Sequence, residues 1–313
     1  MELVDLPDNP IPEGAKVGTV TTPDNKILRY ARWPANTSPI RGTVTVLQGR
    51  TESIEKYFEV IRDLRERGFA VVTFDWRGQG RSSRHLRNSR KGHVRTFREY
   101  IVDLDAVFTE IVLPDSPSPH YALAHSTGGT VMMLAAKKYL LRFDRVALAS
   151  PFLGFGKIGV SPKLLGTVAA VLSAVGFGGA NIPGASKTDY LDDRFEGNPL
   201  TSDAVRFERS RSVLREARDL VIGAPTIGWL HAASRALDVF ADPEFGPDIR
   251  LPMLIVAGGA DEVVSSAVSE SLASRMPMTN YIELAGGRHE LLLERDFIRE
   301  QFWAAFDAFI PAR

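Results

Sequence analysis

The chain has 313 residues, a length that predicts one large domain or one domain with a sizeable insertion. It contains 38 Lys and Arg residues against 38 Asp and Glu residues, so its formal net charge is zero and offers no overall positive charge for binding nucleic acid. The absence of cysteine excludes disulfide bonds, thiolate catalysis and cysteine-ligated metal, and it is compatible with a reducing cytoplasm.

Short apolar runs rich in β-branched residues alternate with helical stretches in the first half of the chain. The predicted strands cover residues 42–47, 69–74, 120–124 and 145–149. The predicted helices between them cover residues 53–67, 97–112 and 128–139. This alternation is typical of a parallel sheet with helices on both faces.

The alternation stops after Pro151 and is absent as far as about residue 241. That section is first glycine-rich and apolar, then strongly charged, and no strand is predicted in it. The alternation resumes in four elements, predicted as strands 252–257 and 281–284 and helices 265–276 and 296–309. We therefore predict a core formed by residues 1–151 and 242–313, with residues 152–241 inserted before the last two strands as a helical cap.

One uncharged run, residues 164–186, is long enough to span a bilayer if it were a single helix. Its five glycines, together with Asn181 and Pro183, argue against a membrane span. Apolar residues follow helical spacing at Val168, Val171, Leu172 and Val175. The run is therefore expected to form an apolar helix that covers a pocket.

The stretch Tyr-Ala-Leu-Ala-His-Ser-Thr-Gly-Gly, residues 121–129, joins a predicted strand to a predicted helix. A nucleophile elbow has this context, and it would push the hydroxyl of Ser126 out of the sheet edge. Small residues are needed two positions before and after the serine because the strand and helix backbones nearly touch; here they are Ala124 and Gly128. A motif this short is equally compatible with an ordinary strand–loop–helix turn, so the assignment depends on finding a base and an acid.

A serine hydroxyl needs a base, and the base needs a carboxylate to hold it; on this kind of sheet they follow the serine in the order acid, then histidine. His289 lies just after the last predicted strand, behind two glycines, whereas His231 lies in the insertion, where a core or surface role is favoured. Asp261 ends the penultimate strand, with Glu262 as its competing neighbour. The candidate catalytic residues are therefore Ser126, Asp261 and His289.

The oxyanion hole is expected to combine two backbone N–H groups. One belongs to Thr127, at the start of the helix after the nucleophile, and the other to Arg50, in the loop after strand 42–47, with Gly49 letting the backbone turn. His125 precedes the nucleophile on the elbow, so its side chain is expected to point away from the serine and to pack rather than act as a base. Gly49 and His125 are also included among the candidate substrate-binding residues.

Several stretches of the chain resemble the bacterial lysophospholipase and monoglyceride lipase branch of the α/β-hydrolases, which is related to the S33 serine aminopeptidases. The matching stretches are residues 48–53, 74–82, 123–129, 198–203, 224–229 and the closing Gly-Gly-Arg-His-Glu at 286–290. The resemblance runs from about residue 15 to the C-terminus. It implies the α/β-hydrolase fold, hydrolysis of a fatty-acyl ester through an acyl-enzyme, and a cap over the acyl pocket. Lysophospholipids and monoacylglycerols are the substrates it implies.

With a lipid substrate, the apolar helix beginning at residue 164 would line the acyl pocket, so Leu164 and Val168, with Trp229, are further candidate substrate-binding residues. Two alternatives for that helix stay open: it packs on the core, or it touches a membrane. Residues 81–95 carry five Arg and one Lys without an acidic residue. This basic loop is interpreted either as a solvated loop or as a contact with phosphate groups at an anionic membrane surface.

The predicted protein is cytoplasmic, with peripheral contact at the inner membrane as the open alternative, because its N-terminus has neither the basic start nor the apolar core of a secretory signal. No cofactor is predicted, and no His, Asp and Glu grouping has metal-ligand spacing. Two other functions stay open at this point. One is a carboxylesterase, amidase, aminopeptidase or acyltransferase acting on a small non-lipid substrate; the other is a non-catalytic ligand-binding protein. The oligomeric state is not predicted.

Overall fold

The fold is built around one eight-stranded sheet, seen in a computed structural model that describes residues 2–140, 142–182 and 194–311. The strand order is β1-β2-β4-β3-β5-β6-β7-β8. Strands β3 to β8 are mutually parallel, whereas β1 and β2 run antiparallel to their neighbours. The strands are β1 Lys16–Thr21, β2 Ile27–Trp33, β3 Gly42–Leu47, β4 Phe69–Phe74, β5 His120–His125, β6 Arg145–Ala149, β7 Met253–Gly258 and β8 Thr279–Leu284.

Helices cover both faces of this sheet and also occur in the described part of the segment between β6 and β7. The helices are α1 Phe58–Glu66, α2 Phe97–Val107, α3 Leu113–Asp115, α4 Thr127–Leu134, α5 Pro162–Ala174, α6 Ala204–Glu216, α7 Ile227–Ala241, α8 Ser266–Ala273 and α9 Asp296–Phe309. A π-helical turn over Phe108–Val112 joins α2 to α3.

The hydrophobic core consists of two layers, one on each face of the sheet. Phe58 of α1 and Phe302 of α9 pack in one layer, and Leu104 of α2 and Val131 of α4 pack in the other, all fully buried. Every residue of β3, β4 and β7 is buried. Strands covered on both faces are rich in apolar and β-branched residues, which is why these strands are recognisable in the sequence.

The six predicted strands are all present, but the antiparallel pair β1 and β2 was missed. Most of β1 is at least partly exposed at the edge of the sheet, so its sequence lacks the apolar run that marks the inner strands. The helix predicted over 128–139 is also shorter, since α4 ends at Leu134. Beyond it the chain turns to bury Tyr139, whose hydroxyl donates to Asp105 Oδ1 at 2.6 Å.

The described residues between β6 and β7 form α5, α6 and α7 and contribute no strand to the sheet. Helix α5 packs on α7. Helix α7 in turn buries Trp229 and Phe240 in the same cluster as the sheet. The division of the chain into a core and a cap at 152–241 stays a prediction, because this last helix of the segment shares the hydrophobic core of the sheet.

Helix α5 carries residues 164–174 of the apolar run noted in the sequence, whose last residues, 183–186, lie outside the described part. In the parts of the chain that the structure describes, no helix is long and apolar enough to cross a membrane. The face of α5 turned away from α7 exposes Leu164, Val168 and Val171.

The sheet brings the ends of β3, β5, β7 and β8 to one carboxyl edge, where open α/β sheets place their ligand sites. At this edge the start of α4 lies against the end of β3. A Cβ added to Gly128 would lie 2.7 Å from the carbonyl oxygen of Gln48 and still closer to that of Leu47. The backbones therefore touch, and only a glycine fits at position 128.

We predict that Gly128→Ala lowers the free energy of unfolding by about 1–3 kcal/mol, because the added methyl group forces two backbones apart. Urea denaturation would measure the change. The matched control is Gly159→Ala, where an added Cβ meets no atom within 4 Å; a change within about 0.5 kcal/mol is expected there. Equal stability of the two variants would contradict the close approach at Gly128.

Candidate active site

Ser126 lies at the junction of β5 and α4 in a strained backbone conformation, with φ 48° and ψ −115°. Residues other than glycine rarely adopt a positive φ, and the exceptions cluster at functional sites. Hydrogen bonds hold the turn: its N–H donates to the carbonyl of Ala149 at 3.2 Å, and its carbonyl accepts from the N–H of Phe152 at 3.0 Å. The sharp turn presents the hydroxyl at the carboxyl edge of the sheet.

The structure brings together the three residues that the sequence selected. His289 Nε2 lies 3.0 Å from Ser126 Oγ, and His289 Nδ1 lies 2.8 Å from Asp261 Oδ2. Ser126 is 8% exposed and His289 is 5% exposed, so both are largely shielded from water while still lining a cavity. In this arrangement His289 can take the hydroxyl proton while Asp261 holds its other ring nitrogen protonated.

The acid in contact with His289 is Asp261, and Glu262 is not involved. Asp261 Oδ1 accepts hydrogen bonds from the N–H groups of Val263 at 2.8 Å and Val264 at 3.0 Å. Burial alone would raise the pKa of Asp261, but its bonds to His289 and to these N–H groups lower the pKa below its ordinary value. Glu262 points outward and pairs with Lys157 at 2.6 Å. Asp261 is therefore ionised and already oriented.

The loop that carries His289 is held by hydrogen bonds from the residues before and after it, Arg288 and Glu290. Gly286 has φ +74°, a conformation that glycine adopts without strain. Arg288 Nη1 donates to the carbonyls of Asn198 and Thr201 at 2.9 and 3.0 Å. The N–H of Glu290, the residue after His289, donates to the carbonyl of Leu200 at 2.8 Å. The stretch 198–201, before α6, thus positions the loop of His289. His231 lies within α7, outside this group.

A cavity of about 280 Å³ opens onto Ser126. Apolar side chains form most of its wall, and α6 and α7 contribute several of them. The apolar lining includes Phe152, Phe155, Phe207, Leu214, Trp229 and Val264. Charged side chains of Arg50, Lys56, Glu52 and Glu290 also reach it. The site therefore combines an apolar volume with a charged section close to Ser126.

The predicted substrate-binding residues divide into two groups. His125 and Trp229 line the cavity. Leu164 and Val168 do not line it: they lie on the outer face of α5 and are 57% and 47% exposed, so their role in substrate binding stays a prediction. Gly49 lies behind the wall, where an added Cβ would come within 2.9 Å of both Glu52 Oε2 and His125 Nδ1. Periodicity identified the apolar face of α5 but not the direction it faces.

Arg50 and Thr127 both line the cavity beside Ser126, as an oxyanion hole would require. The Arg50 side chain extends away to donate from Nη2 to the carbonyl of Gly223 at 2.7 Å, and its guanidinium lies 5.1 Å from the ring centre of Trp229. These contacts tie the loop after β3 to the segment around α7. The use of the two N–H groups as an oxyanion hole stays a prediction.

Sequence reasoning did not single out Glu52, Lys56 or Glu290 as members of this site. Lys56 Nζ lies 2.8 Å from Glu52 Oε1 and 2.5 Å from Glu290 Oε1. Glu290 directly follows His289 in the chain, which was the one available signal. Among the described residues, no group of three His, Asp or Glu side chains could hold a metal ion.

Comparison with known proteins places this chain in a family. The family model described as serine aminopeptidase, S33 matches residues 38–296. The chain belongs to this S33 family. A probable lysophospholipase L2 of Haemophilus influenzae is 28% identical over 283 residues, covering 90% of this chain and 88% of that protein. Lysophospholipase L2 of Escherichia coli is 28% identical over 266 residues, covering 82% and 76%.

Solved structures share the fold of this S33-family chain. A soluble variant of the Saccharomyces cerevisiae monoglyceride lipase aligns over 96% of each chain with a TM-score of 0.75 and 19% identity. The monoacylglycerol lipase of Paleococcus ferrophilus aligns over 90% of this chain and 98% of its own, with a TM-score of 0.70 and 20% identity. The predicted α/β-hydrolase fold is confirmed.

We predict that Asp261→Asn lowers kcat on the order of 10⁴-fold, because an amide no longer holds His289 in the tautomer that accepts the serine proton. Hydrolysis of a p-nitrophenyl ester would measure this. The control is Glu262→Gln at the exposed neighbour, for which kcat is expected to stay within about twofold. A larger loss at Glu262 than at Asp261 would reverse the assignment of the acid.

Proposed function

We propose that this protein hydrolyses the ester bond between a fatty-acyl chain and a glycerol-based head group, in a lysophospholipid or a monoacylglycerol. The observation that carries the proposal is the hydrogen-bonded series Ser126–His289–Asp261 opening into a largely apolar cavity. The lysophospholipases among its relatives and the lipases that share its fold support the choice of a lipid ester.

In the proposed mechanism, Ser126 Oγ attacks the ester carbonyl while His289 Nε2 takes its proton. The negative charge that develops on the carbonyl oxygen is held by the N–H groups of Arg50 and Thr127, at the positive end of α4. The alcohol leaves with the proton from His289, and an acyl-enzyme remains on Ser126. His289 then removes a proton from water, which attacks the acyl-enzyme and frees the fatty acid. Asp261 stabilises the imidazolium at both steps.

The division of the cavity suits a substrate with one apolar and one polar part. The side chains of Phe152, Phe207, Leu214 and Trp229 offer an apolar surface to an acyl chain. The section with Lys56, by contrast, is charged. Burial of each CH₂ group of the acyl chain contributes about 0.8 kcal/mol to binding, which favours long chains over short ones.

We predict fatty-acid release from a lysophospholipid and from a monoacylglycerol of equal chain length, and complete dependence of that release on Ser126. Chromatography of the released acid would measure it, with Ser126→Ala as the comparison. The faster substrate identifies the head group. Normal hydrolysis by Ser126→Ala would show that Ser126 is not the nucleophile. If the protein releases no fatty acid but a fluorophosphonate labels Ser126, then Ser126 is still the nucleophile and the substrate is not one of these lipids.

We also propose that the outer face of α5 contacts the membrane surface from which a lipid substrate is drawn. This face exposes Val171 and Val175 by 58% and 63%, beside Phe177 in the following turn. The basic loop, residues 81–95, adjoins it, since Lys91 Nζ donates to the carbonyl of Gly179 at 2.8 Å. An apolar face bordered by Lys and Arg is the arrangement that binds an anionic bilayer from one side.

We predict that Val171→Asp combined with Val175→Asp lowers binding to phosphatidylglycerol vesicles by roughly tenfold or more, because two apolar contacts become charged. Co-sedimentation would measure binding, and hydrolysis of a water-soluble short-chain ester should stay unchanged. The matched control is Val205→Asp on α6, a valine that is 76% exposed on another helix. Equal binding by the α5 variant and the control would show that α5 is not the contact.

A further inference from the structure

His125, the residue before the nucleophile, has both ring nitrogens next to oxygen acceptors. Its Nδ1 lies 3.1 Å from Glu52 Oε1, and its Nε2 lies 3.2 Å from the backbone carbonyl oxygen of His289. The ring is 4% exposed, and its centre lies 4.9 Å from the centre of the His289 ring. A carbonyl oxygen accepts hydrogen bonds and never donates them, and an ionised carboxylate does the same.

Two acceptors facing the two ring nitrogens require a proton on each nitrogen. A neutral imidazole has one N–H only, so one acceptor would face a lone pair, at a cost in a buried site. Burial opposes the charged ring, but the charge and hydrogen bond of Glu52 outweigh it and raise the pKa of His125 above its ordinary value. Burial likewise favours neutral Glu52, yet Lys56 and His125 hold its pKa well below the usual range. The two side chains thus form a buried ion pair.

The partner carboxylate is fixed by further donors. Glu52 Oε2 accepts from the hydroxyl of Tyr57 at 2.6 Å and from the N–H of Gly49, and Oε1 accepts from Lys56 at 2.8 Å. Gly49 directly precedes Arg50, whose N–H is assigned to the oxyanion hole. The pair therefore connects the elbow of Ser126, the loop after β3 and the loop of His289.

We propose that protonated His125 and ionised Glu52 form a positioning pair that clamps the backbone of His289, and with it the base, against the nucleophile elbow. His125 does not act as a base itself, because Nε2 faces a carbonyl rather than Ser126 Oγ. This inference rests on the proposed roles of Ser126 and His289, but it does not depend on which ester is cleaved. Neither residue needs to touch the substrate for this role.

The pair also sets the charge beside the base. The charged and titratable groups around His125 are Glu52 and Lys56, from the loop after β3 and the turn that follows it, and Glu290 and His289, from the loop after β8. With His125 protonated, His125 and Lys56 carry two positive charges, Glu52 and Glu290 carry two negative charges, and ionised Asp261 adds a third negative charge in contact with His289. Loss of the His125 charge alone removes one positive charge from beside the base.

The test is His125→Gln, which keeps an N–H donor but loses the charge. We expect the rate of fluorophosphonate labelling of Ser126 to fall by about 10²-fold, because the single amide nitrogen cannot bridge Glu52 and the carbonyl of His289, so the base is misplaced. The pH of half-maximal labelling should also move upward by about 1 unit, because one positive charge is lost beside the base. In the double variant His125→Gln with Glu52→Gln, both charges are gone, so the midpoint should return toward that of the unaltered protein while the rate stays low.

The matched control is His120→Gln at the start of the same strand, where the ring nitrogen Nε2 lies 3.3 Å from the carbonyl oxygen of Ser116. Its rate and midpoint should equal those of the unaltered protein. A His125→Gln protein that is labelled with unchanged rate and midpoint overturns the proposal, as does a reduced rate with an unshifted midpoint, which would indicate packing alone. Fluorophosphonate labelling measures the reactivity of Ser126 without any lipid. This test therefore remains valid even if the protein does not hydrolyse lipids.

Discussion

The backbone of Ser126 is the constraint on which the rest of this site depends. A φ of 48° at a residue with a side chain costs about 1–3 kcal/mol, and the surrounding structure must hold it in place. The bonds of Ser126 to Ala149 and Phe152 do so from the next strand and its following loop. The close approach at Gly128 brings α4 onto the end of β3. The strain turns the hydroxyl out of the sheet, where a base can reach it.

A buried network of charges lies directly behind that hydroxyl. Separating charges from water is costly, so buried carboxylates and cations persist only where each has partners. Glu52 meets this requirement through Lys56, Tyr57 and His125, and Lys56 also contacts Glu290. A nonpolar core could have filled the same volume with less desolvation. The network instead links three loops that come from distant parts of the chain, and a reaction site needs those loops in register.

The inner strands and the candidate residues at their ends could be predicted because each depends on local sequence. Runs rich in apolar and β-branched residues identify β3 to β7, since strands covered on both faces bury nearly every side chain. The glycine-bounded serine, the acid after β7 and the histidine after β8 could be placed by their position relative to those strands. Strands β1 and β2 could not, because an edge pair with partly exposed residues has no such run.

The sequence by itself determined the alternation of strands and helices, the interrupted segment and the order of Ser126, Asp261 and His289, because short-range patterns dictate burial along each element. Only the tertiary structure decided which neighbours these residues meet. It turned Leu164 and Val168 to the surface, brought the carboxylate of Asp261 into contact with His289, and brought Glu52 and His125 together beneath His289. Contacts between residues far apart in the chain depend on how the loops cross at the sheet edge, and no local pattern contains that information.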